Sequence, residues 1–403
     1  MKNNINNKGI EELVTRGVEE VYPDKASLEK KLKSGEKIKL YCGFDPSAKS
    51  LHIGHAILIN KLAQFQKLGH EVIFLIGDFT GMIGDPTDKS SVRKKLSREE
   101  VLVNSKDYQK QASSFLDFEG KNSAVVKYNS EWNDKLNFKD LIELSSHFTV
   151  QQMLQRDMFQ KRQEEEKPIY LHEFLYPLTQ AYDTVAMDID LEIGGNDQMF
   201  NMMCGRDLIR TLKNKEKFVL TMKLLADENG KKMGKSEGNA VFLDEEASEI
   251  YGKVMSWPDK FMSVAFELCT QTEWQEVKEI QKELKTKDAN FRDIKMKLAK
   301  EITASIKGVK EAQSAEEYFV KTIQKKEVPD NIEELSLKKD SLNILELLVL
   351  TKLTTSKGEA RRLINQSGVK IDGELVSAVD LEVNLDKTRL IQKGKRHFLK
   401  VKK

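Results

Sequence analysis

The chain has 403 residues, 39% hydrophobic and 32% charged, with a formal net charge of +2. That length exceeds what one core commonly serves, so two or three domains are expected, and the near-neutral balance excludes a polycation that binds nucleic acid by charge alone. The charge is uneven, however: Leu342 to Lys403 carries 13 Lys and Arg against 7 Asp and Glu, a basic tail suited to a polyanion.

Three separated cysteines (Cys42, Cys204, Cys269) form no disulfide framework and fit a reducing compartment. The N-terminal MKNNINNKGIEELV lacks the apolar core of a signal peptide. No stretch approaches the roughly 18 apolar residues of a membrane span. A cytoplasmic protein without membrane contact is expected.

In chain order, KIKLYCGFD (37–45) reads as a strand running into a turn at Asp45-Pro46. LHIGHAILINKLAQFQKLG (51–69) has helical spacing and stops at Gly69, and HEVIFLIGD (70–78) is an apolar, β-branched run expected of a strand buried on both faces. Strand, turn, helix and strand make a right-handed βαβ unit. Polar, helix-forming segments follow to about residue 165. Then come a helix over 171–187, a short strand over 188–195 and a helix over 199–214. The alternation predicts an α/β fold built on a Rossmann-like, doubly wound parallel sheet within residues 1–238, with 100–170 inserted between its halves.

Residues 239–328 are charged and helix-forming, which predicts an all-α domain, and 329–341 reads as a linker. Residues 342–403 predict a small α+β module. It has an apolar helix (342–350), then SKGEARRLINQSG (356–368) with a capping box between Ser356 and Glu359. Two hairpins follow, one around Asp372-Gly373 and one over 389–401 with a basic turn.

His52 and His55 flank Gly54 where the first strand's turn feeds the first helix. Taken alone they could be surface or satisfied core residues. A zinc site is poorly served, because helical histidine ligands are commonly four apart and Cys42 is the one other ligand nearby. A third reading uses location: a helix N-terminus attracts phosphate, a glycine leaves its backbone open, and imidazoles can donate to phosphate oxygens. KKMGKS (231–236) places two lysines around a glycine without forming a P-loop. It is either a solvated basic turn or a second phosphate-binding element.

Together, HIGH at 52–55 and KMGKS at 232–236 resemble the paired signatures of the class I aminoacyl-tRNA synthetases. YCGFDPSAKSLHIGH (41–55), TGMIGDPT (80–87), YPLTQAYD (176–183) and GGNDQ (194–198) resemble the bacterial-type tyrosyl-tRNA synthetases over nearly the whole chain. Two departures are Gly234 and Asn196, where the family has serine, and serine or threonine.

The resemblance implies a ligase that activates L-tyrosine with ATP and transfers it to the terminal ribose of tRNA(Tyr). It implies that residues 1–238 are catalytic and 239–328 bind the anticodon. It further implies a homodimer joined through the inserted segment, with Mg2+ only as the nucleotide's counter-ion and no protein-bound metal. His52, His55 and Ser47 would contact ATP, with Gly54 open beside them. Lys232 and Lys235 in the 231–238 loop would close on pyrophosphate, and Lys89 and Arg93 would add phosphate-binding charge. Tyr41 and Asp183 would reach the phenol of tyrosine. Tyr176, Gln180, Asp85 and Thr80 would surround its amino group, with Gln198 near the carboxylate. Gly43 and Asp45 would line the strand-end crevice, and Asp197, with Gly195 beside it, would hold the ribose. Spacing supports part of this independently, since Tyr176, Gln180 and Asp183 share one helix face.

LTTSKGEARRLINQSGVKIDG (353–373) resembles an RNA-binding module first described in a ribosomal small-subunit protein, with Arg361 and Arg362 as candidate phosphate contacts. The contrasting possibility is a catalytically inactive synthetase relative that only binds RNA. The intact histidines, lysines and pocket residues argue against it.

Overall fold

A computed structural model of the protein describes residues 7–87, 95–226, 240–324, 332–394 and 397–403. Lys89, Arg93, Lys232 and Lys235 lie outside the described residues. The chain forms two compact units, Met1–Val309 and Lys310–Lys403.

The first unit is built on a six-stranded sheet of β1 (Val18–Tyr22), β2 (Lys39–Phe44), β3 (Glu71–Ile76), β4 (Val125–Tyr128), β5 (Leu191–Gly195) and β6 (Phe218–Met222). The spatial order is β1-β6-β5-β2-β3-β4. Strands β2 to β6 are parallel, with Tyr41 opposite Ile73 on one side and Glu192 on the other. The central strands are apolar because both of their faces are covered: Val72 to Ile76 are all buried. The chain leaves β2 toward β3 on one side and leaves β5 toward β6 on the other. The β2/β5 boundary is therefore the switch point, where a crevice opens at the carboxyl ends of the strands.

The expected doubly wound α/β fold is present, with two differences at its edges. β1 pairs antiparallel with β6, so the sheet is mixed. β4 comes from within the segment read as an insertion and pairs with β3. Both are short edge strands with part of each strand exposed, so neither carries the continuous apolar signal of a buried strand.

The helices Ile53–Lys67, Leu171–Met187 and Met199–Lys213 lie close to their expected bounds. Beyond residue 240 the unit is helical, including Ala247–Met255, Met262–Cys269, Trp274–Glu283 and Phe291–Lys307. Buried Arg16 stops the second of these. Its guanidinium donates to the carbonyls of Phe266, Glu267, Thr270 and Thr272 at 2.7–3.3 Å, supplying donors that a helix C-terminus lacks. Lys61, also buried, donates from Nζ to the carbonyls of Leu13 and Arg16 at 2.8 and 3.0 Å.

Burial lowers the Lys61 pKa to about 7, helped by the Arg16 charge. The unfolded chain therefore binds more protons than the folded one above that pH. Stability attributable to Lys61 rises between about pH 7 and its unfolded value near 10.4, by up to ~1.4 kcal/mol per pH unit. Lys61→Met is expected to flatten that rise in urea unfolding midpoints measured across the window. An unchanged slope would reject the assignment.

The second unit holds β7 (Glu334–Ser336), β8 (Ser341–Asn343), β9 (Val369–Ile371), β10 (Glu374–Leu375), β11 (Glu382–Asn384), β12 (Arg389–Lys393) and β13 (His397–Lys402). Five of these form the sheet β10-β9-β12-β13-β7, and β11 pairs with β8. Helices Ile344–Leu350 and Lys357–Asn365 share its core through Leu347, Leu348, Ala360 and Ile364. The Asp372-Gly373 hairpin is present, with both residues at positive φ (51° and 90°), as a tight two-residue turn requires.

Two local readings change here. Residues 329–341, read as a linker, contribute β7, which runs parallel to β13. The Ser356–Glu359 capping box is half formed. Ser356 Oγ accepts from the Glu359 amide at 3.2 Å, but the Glu359 carboxylate takes the Thr355 amide and hydroxyl at 2.8 and 2.7 Å.

Candidate active site

A cavity of about 710 Å3 opens at the ends of β2 and β5. Its lining includes Tyr41, Gly43, Asp45, Ser47, His52, Gly54, His55, Thr80, Asp85, Tyr176, Gln180, Asp183, Gly195, Asp197 and Gln198. Every described residue assigned above to tyrosine or ATP is thus brought together in one place. Arg361 and Arg362 are in the second unit, exposed on the Lys357–Asn365 helix.

At one part of the lining, His52 caps the Ile53–Lys67 helix. His52 Nδ1 accepts from the Gly54 amide at 3.1 Å, and His55 Nδ1 accepts from the His52 amide at 3.0 Å. The rings stack with centroids 3.8 Å apart. Each ring accepts through Nδ1, so its remaining proton sits on Nε2, which is the donating nitrogen. Gly54 has a purpose the sequence did not suggest. A Cβ there would lie 3.0 Å from His52 Cε1, so glycine admits the ring that folds back over the helix start. Ile53 donates to Val241 and Leu243 to Leu51, both at 2.9 Å. The chain emerging from residues 227–239 is thereby pinned beside the histidines.

Elsewhere on the lining, Asp183 is 2% exposed and ringed by donors. Trp132 Nε1 reaches Oδ1 at 2.7 Å, Asn133 Nδ2 reaches Oδ1 at 3.1 Å, and Asn129 Nδ2 reaches Oδ2 at 3.2 Å. Burial raises the Asp183 pKa well above the usual carboxylate range, and the three donors pull the other way. Tyr41 is also raised, by burial and then by Glu192 and Asp183.

Asp45 ties the middle of the site together. It accepts from Thr80 Oγ1 at 2.7 Å and from the Tyr176 hydroxyl at 2.8 Å. Gly77 is required for this: a Cβ there would sit 2.0 Å from Asp45 Oδ1 and 2.4 Å from Thr80 Oγ1. Asp85 holds Gln198 Nε2 at 2.7 Å and is held in turn by Thr87 and by Arg156, 3.7 Å away.

The residues that sequence reasoning missed are the supports. Asn129, Trp132 and Asn133 recur at i, i+3 and i+4 around the short Ser130–Asn133 helix, a polar face that was legible once that turn was suspected. Glu192 is a charge inside the fully buried strand LEIGG, which by itself demands a partner. That partner is Lys217. Among the described residues, no group of three His, Cys, Asp or Glu side chains could hold a metal ion. No described helix is long and apolar enough to cross a membrane.

The strand order, the switch-point cavity and the capped helix start define a doubly wound nucleotide-binding domain. Residues 33–324 match the family model "tRNA synthetases class I (W and Y)", and residues 324–401 match a "Tyrosine--tRNA ligase SYY-like C-terminal domain". The chain is 42% identical to the tyrosine–tRNA ligase of Moorella thermoacetica, covering 96% of this chain and 94% of that protein. It is 43% identical to that of Geobacter sulfurreducens, covering 96% and 97%. The fold is similar to a C-terminally truncated mitochondrial tyrosyl-tRNA synthetase of Aspergillus nidulans (TM-score 0.65, 23% identity, 77% of this chain and 92% of that one). It is also similar to the Archaeoglobus fulgidus tyrosyl-tRNA synthetase complexed with L-tyrosine (TM-score 0.60, 20% identity, 77% and 99%). The chain belongs to the class I tRNA synthetases, in the tryptophan and tyrosine group.

Proposed function

We propose that the protein is a tyrosine–tRNA ligase that acts in the cytoplasm as a homodimer. The observation that carries this reading is a single cavity that joins a buried, donor-ringed carboxylate, Asp183, to two Nε2-donating imidazoles at a helix start. In the first step the tyrosine carboxylate attacks the α-phosphorus of ATP and pyrophosphate leaves. In the second, the 3'-terminal ribose of tRNA(Tyr) takes the tyrosyl group and AMP leaves. Neither step needs a protein nucleophile, so positioning and charge stabilisation do the catalysis.

Tyr41 and Asp183 take the phenol. Tyr176, Gln180, Asp85 and Thr80 surround the ammonium, and Gln198, pinned by Asp85, lies by the carboxylate. Gly43 and Asp45 line the crevice, while Ser47, His52, His55 and Gly54 meet the phosphates, whose counter-ion is Mg2+. Gly195 and Asp197 receive the ribose; a Cβ on Gly195 would lie 2.6 Å from Asp197 Oδ1, which supports a close backbone approach there. Lys232 and Lys235 close on pyrophosphate, with Lys89 and Arg93 adding charge. Ala240 lines the cavity and Lys235 is only five residues upstream, within about 18 Å of extended chain.

Exposed apolar side chains support the dimer. Phe138 (78% exposed) and Ile142 (57%) are one turn apart, and Val150 (60%) follows in the same segment. Residues 239–328 would bind the anticodon, and residues 342–403, joined by β7 from the preceding segment, would form the RNA-binding module. Amino-acid-dependent ATP–pyrophosphate exchange across all twenty amino acids tests the function: tyrosine alone is expected to support fast exchange.

The module's role predicts a separable defect. Arg361→Gln with Arg362→Gln is expected to leave exchange unchanged while weakening tRNA charging. The salt dependence of tRNA binding should also become shallower, by about 0.7–0.9 in log–log slope per lost phosphate contact. An unaltered slope would remove these two residues from the RNA surface.

A further inference from the structure

We infer that buried Lys217 and Glu192 form a polarity-setting pair that turns the Gln180 amide so that its carbonyl oxygen receives a substrate ammonium. The inference rests on the reading of the cavity as an amino-acid site. Glu192 is 2% exposed and Lys217 is fully buried. The Lys217 ammonium is bonded to Glu192 Oε2, to Thr184 Oγ1 at 3.1 Å and to the Met202 carbonyl at 3.1 Å, which uses all three of its hydrogens. It sits in a notch made by Gly205, where an added Cβ would be 2.8 Å from Nζ and 2.9 Å from Thr184 Oγ1. A buried ion pair seldom adds stability over apolar residues of the same volume, so its presence under the cavity points to a positional task.

The task follows from what each group can do. A carboxylate only accepts and an ammonium only donates. Glu192 Oε1 lies 3.1 Å from Gln180 Nε2, so the amide must face it nitrogen first. Gln180 Oε1 is then directed elsewhere, and it is buried with no protein partner on a side chain that lines the cavity. An ammonium supplies the missing donor. The same pair directs a second proton. Thr184 accepts from Lys217, so it gives its own hydrogen to Glu192 Oε2 at 3.4 Å. The Tyr41 hydroxyl lies 3.2 Å from the same Thr184 Oγ1, so the pair's network reaches it as well.

Glu192→Gln inverts this logic with little change of volume. The new carbonyl faces Lys217 and the new NH2 faces Gln180, which must flip and present NH2 to the ammonium. In the full-length protein, the tyrosine KM in pyrophosphate exchange is expected to rise about tenfold or more, with the ATP KM unchanged. The inhibition constant of 3-(4-hydroxyphenyl)propanoate, which lacks the amino group, should move by less than about twofold, because no bond of the order of an ionic hydrogen bond is lost. Adding Gln180→Glu swaps amide and carboxylate and should restore the tyrosine KM. The swapped variant also serves if Glu192→Gln alone is unstable. An unchanged tyrosine KM, equal weakening of both ligands, or a folded swap without recovery would overturn the inference. Wild-type protein lacking tyrosine-dependent exchange would instead overturn the proposed function.

Discussion

His52→Asn and His55→Asn are each expected to lower the rate of adenylate formation by about 100- to 1,000-fold, the usual loss when one preorganised donor to a developing oxyanion is removed. Asparagine is the informative substitution because its Oδ1 stands where imidazole Nδ1 stands. In both positions Nδ1 accepts a backbone amide, from Gly54 and from His52 respectively. The variants therefore keep the helix start and lose only the Nε2 donor. Alanine at His52 would add the loss of an N-cap, about 1 kcal/mol of stability, and confuse the two effects. Tyrosine affinity by equilibrium dialysis should be nearly unchanged, since the groups assigned to the amino acid are other residues. A variant that forms adenylate at the wild-type rate, or one that loses tyrosine binding, would show that the histidines do something else.

The legibility of this protein in its sequence follows from which features need long, continuous signals. β2, the Ile53–Lys67 helix and β3 were readable because burial on both faces forces an apolar run and a helical period forces a repeat. β1 was not, because VEEVY at a sheet edge exposes its two glutamates, and β4 carried too few residues to announce itself. The same division runs through the site. The residues that line the cavity fell within recognisable strings such as YPLTQAYD. Those that support them did not. Trp132, Asn129 and Asn133 meet Asp183 from a segment some fifty residues away in sequence. The Lys217–Glu192 pair joins β5 to the residue just before β6. A motif marks residues close in sequence, whereas a donor cage exists only after folding. Glu192 was the exception that could have been caught: a lone charge in a buried strand implies a partner, though not which one.

Asp183→Ala is expected to reduce the preference for tyrosine over phenylalanine by about 10- to 150-fold, the worth of one hydrogen bond to a charged group. Wild-type protein should reject phenylalanine because that ring leaves a buried carboxylate short of a partner, and the variant has no carboxylate to leave. The ATP KM should not move. The carboxylate must be ionised to accept the phenol's proton, and burial holds its pKa above the ordinary carboxylate range. As pH falls through that raised value Asp183 protonates, and kcat/KM for tyrosine should fall on the acid side earlier than an unperturbed aspartate would allow. Trp132→Phe sharpens the test. It removes the donor at 2.7 Å from Oδ1, which weakens the ionised form and should carry the acid limb to still higher pH. Phenylalanine turnover does not need the charge in this way, so its profile should lack the limb. If the two amino acids share one profile, or if Asp183→Ala leaves their ratio where it was, Asp183 is not the group that reads the hydroxyl.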